Sequence, residues 1–565
     1  MPQDHGVRLM PRDHDVRLTP RDGDVRQLPG DRDVWLMPRD GAGTAQPRDR
    51  AEAAFARGEA LLPGPEFHRA RVRLNEIRER FRARLRVAVV GRVSAGKSTL
   101  VNALLGEERS PTGVTELTFN VTRLRRSSQE SLTVHYRDGR PSRQRAPDDL
   151  WRLVAQARHD PERLAELRAV DWLDLGIPNL RLAQFDLVDT PGLDSYFGEE
   201  SARTLRFLGR TGEDVHTATV EHASRADALV MVFASGLAES EERLLAEVTG
   251  AGLRAVEPMT SVGALTKIEY YWPVCPDPMA EGRRVADRLM TKSGGRRILF
   301  ELVPVAGLLA TGAAACTERD AADLVELSRV APALLEARVR RGPYFASRDY
   351  PDLPVGTERR AALLRRFGGY GTVLACALAR DGLTDRAGLR EELLRRSGVV
   401  RLGQVLTEHF GNRADLVKLD AAVQEMGELP ALGGQGAEPW MRWRLEEAAD
   451  QVTRLRLTEH AFRELALLRR VYDGSVVLTA QELSEVLRIT GEYGDSPAVR
   501  LGLPADSGRS SLISAALRQQ AYWAGADLDA ARGPATAEAV RTVRRGYDLL
   551  LNRIGPVDGR AGGDG

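Results

Sequence analysis

Lysine is the residue this 565-residue chain nearly does without. Of its 81 Lys and Arg residues only four are Lys: Lys97, Lys267, Lys292 and Lys418. Arginine serves almost wherever a positive charge is needed. A retained Lys therefore marks a position that wants a compact ammonium rather than a planar fork. Cysteine is nearly as scarce. Cys275, Cys316 and Cys376 are widely spaced, which excludes a disulfide framework and a thiolate metal cluster; they are expected to be reduced thiols of a cytoplasmic protein. The nine histidines are scattered without metal-ligand spacing. No apolar run reaches the roughly 18 residues of a membrane-spanning helix. The longest candidate, VPVAGLLATGAAAC at 303–316, is too short. Neither sign of charge dominates: the net charge is +1, so there is no bulk attraction to nucleic acid, and no nucleic-acid partner is expected. What remains is 42% hydrophobic and 28% charged, the range of a soluble globular protein long enough for two to four domains.

The first forty residues repeat every nine. Prolines fall at 2, 11, 20, 29 and 38, and valines at 7, 16, 25 and 34, in a unit close to P-R-D-x-D-V-R-L-x. So little apolar content builds no core, and the spaced prolines forbid a long helix. Residues 1–50 are expected to form a disordered arm. From 51 to 85 the pattern is helical, a segment expected to join the neck or stalk. RVAVVG (86–91) is a buried strand, and SAGKSTLVNALLG (94–106) switches to helical periodicity. Strands at 131–136, 180–189, 226–234, 261–267 and 300–307 follow, with helical stretches near 148–170. Alternating strands and helices over 86–397 predict an α/β domain with a mostly parallel sheet and flanking helices. From 398 to 555 strand patterns vanish. Amphipathic helices at 398–426, 438–472, 480–491, 508–525 and 533–553 predict an all-α bundle or stalk, and 556–565 a disordered tail.

GRVSAGKS, Gly91 to Ser98, fits G-x-x-x-x-G-K-[ST] between a strand and a helix. Such a loop wraps phosphates with the backbone N–H groups of Ser94, Ala95, Gly96, Ser98 and Thr99 at a helix N-terminus. Lys97 would reach the β- and γ-phosphates, and the Ser98 hydroxyl would ligate Mg²⁺. FDLVDTPGL follows at 185–193. Its Asp189 ends an apolar strand beside the metal, and the Gly192 N–H could sense the γ-phosphate. The DTPG sequence favours GTP over ATP. Between these motifs, PTGVTELTFNVT offers Thr115 and Thr118 as a switch threonine covering Mg²⁺ and the γ-phosphate.

GALTKIEYY, Gly263 to Tyr271, resembles the guanine-reading loop T/N-K-x-D with one change. After Thr266, Lys267 would pack over the base. Glu269 stands where an Asp would accept from guanine N1–H and N2–H₂, a donor pair adenine lacks. Further on, Ala306 and Gly307 in VPVAGLL are expected to offer backbone N–H groups to the guanine oxygen.

With the motifs in this order, the chain resembles the bacterial dynamin-like large GTPases. Ser94 inside the phosphate loop, GKSTLVNALLG, the long gap from Lys97 to Asp189, IPNLRLAQFDLVDTPGLDS and the helical half carry the likeness. LLRRFGGYG, ELLRRSGVVRL, HFGNRADLVKL, HAFRELALLRR and AVRLGL add stretches similar to mycobacterial members. The resemblance spans about 55 to 550. It implies GTP hydrolysis with Mg²⁺, stimulated when two GTPase domains of a homodimer meet, and peripheral membrane remodelling at the inner face of the cell membrane. It leaves room for a second dynamin-like protein as partner. It makes Ser94 the residue that helps place the attacking water and selects Thr118 over Thr115. The loop GELPALGGQGAEPWMRWR (427–444) would supply contact with anionic lipid through Trp440, Met441 and Trp443, flanked by Arg442 and Arg444. Tryptophans packing at a helix start are the simpler reading of that stretch. The rival function is a GTP switch whose helical half binds a protein partner without remodelling membrane.

Overall fold

The computed structural model describes residues 45–92, 94–110, 120–137, 139–150, 169–191, 226–234, 256–292, 295–434, 438–529 and 532–555. The repeat arm up to residue 44, the tail from 556, both switch threonines, Gly192 and most of 148–170 lie outside them. The described residues fall into two compact units, divided between Asp473 and Gly474. The change from strand-bearing to helix-only sequence at 397/398 therefore lies inside the first unit.

That unit is built on one nine-stranded sheet: β1 (Leu85–Gly91), β2 (Val121–Arg126), β3 (Ser131–Tyr136), β4 (Arg143–Arg145), β5 (Val170–Ile177), β6 (Phe185–Asp189), β7 (Ala228–Ala234), β8 (Ser261–Thr266) and β9 (Leu302–Pro304). The strand order is β4-β3-β5-β2-β6-β1-β7-β8-β9. From β6 through β9 every neighbour is parallel. Antiparallel pairing enters at β2/β6 and at the β3/β4 and β3/β5 pairs. The continuous apolar reading of β1, β7 and β8 has the reason expected of parallel strands, burial on both faces. Val87, Ala88, Val89, Val230, Val232, Val262 and Ala264 are all fully buried. Sequence patterning missed β2, β4 and β5. β2 reads VTRLRR because its outward arginines pair with carboxylates on neighbouring strands, Arg123 with Asp186 and Arg125 with Asp174.

The N-terminal segment differs from expectation in two ways. A helix already begins at Ala45, inside the span assigned to the arm, and runs to Ala60. The prolines at 63 and 65 then interrupt the helical reading, since proline removes a donor and clashes with the preceding turn, and a second helix covers His68–Arg82. These two helices pack on helices Ala414–Gly427 and Pro439–Thr453 from far along the chain. Phe55 and Phe81 meet at 5.9 Å between ring centroids, and Glu425 pairs with both Arg73 and Arg80.

The second unit is all helical: Ala480–Ile489, Pro497–Leu501, Arg509–Asp527 and Pro534–Ile554. Its two long helices lie along each other. Trp523, fully buried, donates its indole N–H to Glu485 at 3.1 Å. Thr479 and Glu482 form a reciprocal cap at the start of the first helix.

Candidate functional site

The loops that follow β1, β6, β8 and β9 lie at one edge of the sheet, because these strands run parallel. In an open α/β sheet ligands bind at that edge. β1 sits between β6 and β7 and delivers Gly91 there. A Cβ on Gly91 would lie 2.5 Å from the Val232 carbonyl oxygen, so only glycine lets the strand leave the sheet at this point. The chain then turns through Ser94 (φ 59°) and Gly96 (φ 95°) into helix Lys97–Leu105. Ser94 and Lys267 are the only non-glycine residues with positive φ among the described residues. Strained backbone of this kind concentrates at ligand sites, and here it falls in the two loops that the motifs single out. The helix places Thr99 against Gly307: a Cβ there would lie 3.2 Å from the Thr99 methyl carbon.

Lys97 is buried, at 7% exposure. Its Nζ donates to the Gly91 and Arg92 carbonyl oxygens at 3.1 and 2.8 Å. The ammonium is thus held by the loop it would leave to meet a phosphate. One residue on, the Ser98 hydroxyl donates to Asp189 Oδ2 at 3.1 Å. Asp189, at the end of β6, is 1% exposed, and its Oδ1 is buried with no hydrogen-bond partner. Burial pushes this carboxyl above its ordinary value, against the pull of Lys97 and of the Ser110 and Ser98 hydroxyls. A hydroxyl beside an orphaned carboxylate oxygen suits a hard divalent cation such as Mg²⁺. Ser98 and Asp189 are the residues that would hold it, and a bound Mg²⁺ would neutralise phosphate charge.

Asn102 was not singled out in the sequence, yet it shapes this side of the site. Its side chain accepts from the Arg109 and Ser110 N–H groups at 2.8 and 2.7 Å and donates to the Ser110 carbonyl at 2.7 Å. The chain is thereby fixed where it enters the segment carrying Thr115 and Thr118. An Asn inside a helix gives no sign of partners seven and eight residues away.

On the base side, Thr266 is 2% exposed. Its hydroxyl bonds to the Ala95 carbonyl at 2.5 Å and the Phe233 carbonyl at 3.1 Å, tying the end of β8 to the phosphate loop. Lys267 follows in the left-handed region (φ 60°) and starts a short helical turn, Ile268–Tyr271. Half-buried Glu269 reaches helix Gly307–Ala314, where its Oε1 accepts from the Leu308 N–H at 2.8 Å. Its Oε2 is buried without a partner. Burial raises this carboxyl too, opposed by the Leu308 N–H, by the backbone N–H of Glu269 itself and by Lys267. One expectation needs correcting. The Ala306 N–H does not await a ligand; it donates to the Ser397 carbonyl at 2.8 Å. Gly307, first residue of the helix, has an N–H with no acceptor inside the helix.

A phosphate loop after a central strand, a Ser–Asp pair across parallel strands and a Thr-Lys-x-carboxylate loop after β8 define a P-loop GTPase. The family follows from comparison with known proteins. The dynamin family model matches residues 87–249. The isoniazid-induced protein IniC of Mycobacterium tuberculosis is 31% identical over 483 residues, covering 85% of this chain and 92% of that protein. A dynamin-like protein 2 of Campylobacter jejuni is 32% identical over 109 residues, covering 19% of this chain and 17% of that protein. A solved oligomerised bacterial dynamin pair covers 92% of each chain at 12% identity, with a TM-score of 0.30, too loose a superposition to add to this. The chain belongs to the dynamin family, within its bacterial dynamin-like GTPases.

Proposed function

We propose that this GTPase hydrolyses GTP with Mg²⁺, turns over faster when two of its GTPase domains meet, and acts as a peripheral membrane-remodelling protein at the inner face of the cell membrane. Lys97 and the loop N–H groups bind and orient the phosphates, Ser94 and Thr118 position the attacking water, and Thr266, Lys267, Glu269 and Gly307 hold the base. Charge stabilisation is the main catalytic effect. The observation that carries the membrane reading is the start of helix Pro439–Thr453. Trp440 and Trp443 are 51% and 56% exposed, with Arg442 and Arg444 interleaved. Aromatic and basic groups together suit an anionic interface. No described helix is long and apolar enough to cross a membrane, which agrees with attachment from one side.

The rival, a GTP switch acting on a protein partner, is favoured by how the same tryptophans pack. Trp440 meets Phe67 edge-on at 5.8 Å, and Arg444 lies 5.4 Å from the Trp443 ring centroid. Sedimentation with anionic liposomes separates the two. The membrane reading expects nucleotide-dependent binding that is lost when Trp440 and Trp443 become Ala; no binding in any nucleotide state refutes it. Turnover per molecule should rise with protein concentration if dimerisation stimulates hydrolysis.

A further inference from the structure

Glu269 carries one methylene more than the Asp expected at its position, and the structure gives that methylene a use. It lets Oε1 reach helix Gly307–Ala314 and accept from the Leu308 N–H at 2.8 Å. A first-turn N–H has no acceptor within its own helix, and a carboxylate there also meets the positive end of the helix dipole. The bond therefore serves the fold, and Oε1 is committed to it. Oε2 is different: buried, with no donor. An acceptor left in that condition is costly. Burial holds the carboxyl above its ordinary value, as expected of a carboxylate short of donors.

We propose that this site reads its base through the single oxygen Oε2 of Glu269, and so takes 6-oxopurine nucleotides with or without a 2-amino group. The proposal rests on the GTPase reading of the site. Guanine offers a carboxylate two adjacent donors, N1–H and N2–H₂, and two free oxygens can pair with both. One free oxygen pairs with N1–H and leaves the 2-amino group without a strong acceptor. Hypoxanthine, which has N1–H and no 2-amino group, then loses little. Adenine is still rejected, because its N1 is an acceptor and faces the oxygen with like polarity. The engaged Ala306 N–H removes one donor from the base side as well, which leaves more of the discrimination to Glu269.

The test is displacement of a fluorescent GDP analogue by GTP, ITP and ATP from the full chain and from two variants, with melting temperature recorded for each. The wild type should bind ITP within about threefold of GTP and ATP at least about a hundredfold more weakly. Glu269→Asp, too short to reach Leu308 and with both oxygens free, should prefer GTP over ITP by at least about tenfold, one charged hydrogen bond. Glu269→Gln keeps the helix cap through its amide oxygen and puts an NH₂ where Oε2 was. It should bind GTP and ITP at least about tenfold more weakly at an unchanged melting temperature. A wild type that discriminates against ITP as strongly as Glu269→Asp does overturns the proposal, and so does full affinity in Glu269→Gln. If ATP displaces the analogue as well as GTP does, the guanine reading itself falls.

Discussion

Lys418 offers a quantitative test of why this arginine-rich chain keeps any lysine at all. It lies on helix Ala414–Gly427 and is 4% exposed. Its Nζ donates to the Phe81 carbonyl at 2.6 Å and to the Ala83 carbonyl, and sits 5.8 Å from the Phe81 ring centroid. Phe81 is in the last turn of helix His68–Arg82, where carbonyls have no intrahelical donor. A point-like ammonium can converge on two such oxygens; a guanidinium spreads its donors in a planar fork. Lys418→Met keeps the volume and removes both bonds. At about 1.5 kcal/mol per charge-assisted hydrogen bond the loss is about 3 kcal/mol. For a unit of about 440 residues that lowers the melting temperature by roughly 3 °C, since the entropy of melting scales with chain length. Lys418→Arg should lose stability as well, although it restores the charge. The assay is thermal melting by calorimetry at constant pH. An Arg variant within about 1 °C of wild type would refute the argument from ammonium geometry, and a Met variant that close would refute the capping role altogether.

Three further outcomes follow from the same geometry. Lys97→Ala should cut GTP turnover by at least about a hundredfold, because the missing group binds phosphate charge; single-turnover hydrolysis measures it. Asp227 accepts from the Arg86 N–H at 2.8 Å, and burial pushes its carboxyl up to about 6 from 3.8 despite that bond and nearby Lys418, Arg86 and Arg80. A folded value above the unfolded one means its contribution is fully present below about pH 3.8 and lost as pH rises through about 6. Wild type should therefore gain stability relative to Asp227→Asn as pH falls from 8 to 4, by up to about 3 kcal/mol, less because part of the side chain meets solvent; parallel denaturation curves at several pH values would expose a wrong sign. Gly91→Ala should destabilise by about 1–3 kcal/mol, with loss of nucleotide binding, because the added Cβ has only 2.5 Å to the Val232 carbonyl oxygen; an Ala variant with native melting and GDP affinity would show that the strand end has room.

How much could be read in advance depended on how local the cause was. RVAVVG, ADALVMVFA and SVGALT are almost wholly apolar because parallel neighbours bury both faces, and each stretch carries that signature by itself. β2 and β5 carry none. VTRLRR and VDWLDLGI alternate charge with apolar residues and become strands through each other, as the Arg125–Asp174 pair between them shows. The phosphate loop was legible because its glycines, Lys97 and Ser98 act within eight residues, and DTPG because the end of an apolar strand places Asp189 at the sheet edge. The scarcity of lysine pointed to Lys97 and Lys267 and applied equally to Lys418, but nothing near Lys418 in the sequence names Phe81 as its partner.

The sequence by itself determined that this chain is an α/β P-loop GTPase followed by helices, because strand burial, loop backbone conformation and phosphate binding are all set by residues close in the chain. Tertiary structure alone decided the rest: that helices 45–60 and 68–82 pack on 414–427 and 439–453, that the Ala306 N–H is spent on Ser397, and that Glu269 gives one oxygen to Leu308 and keeps one. Each of these turns on a donor or an apolar face meeting a partner distant in sequence, and a partner that far away leaves no periodicity for a single chain to display.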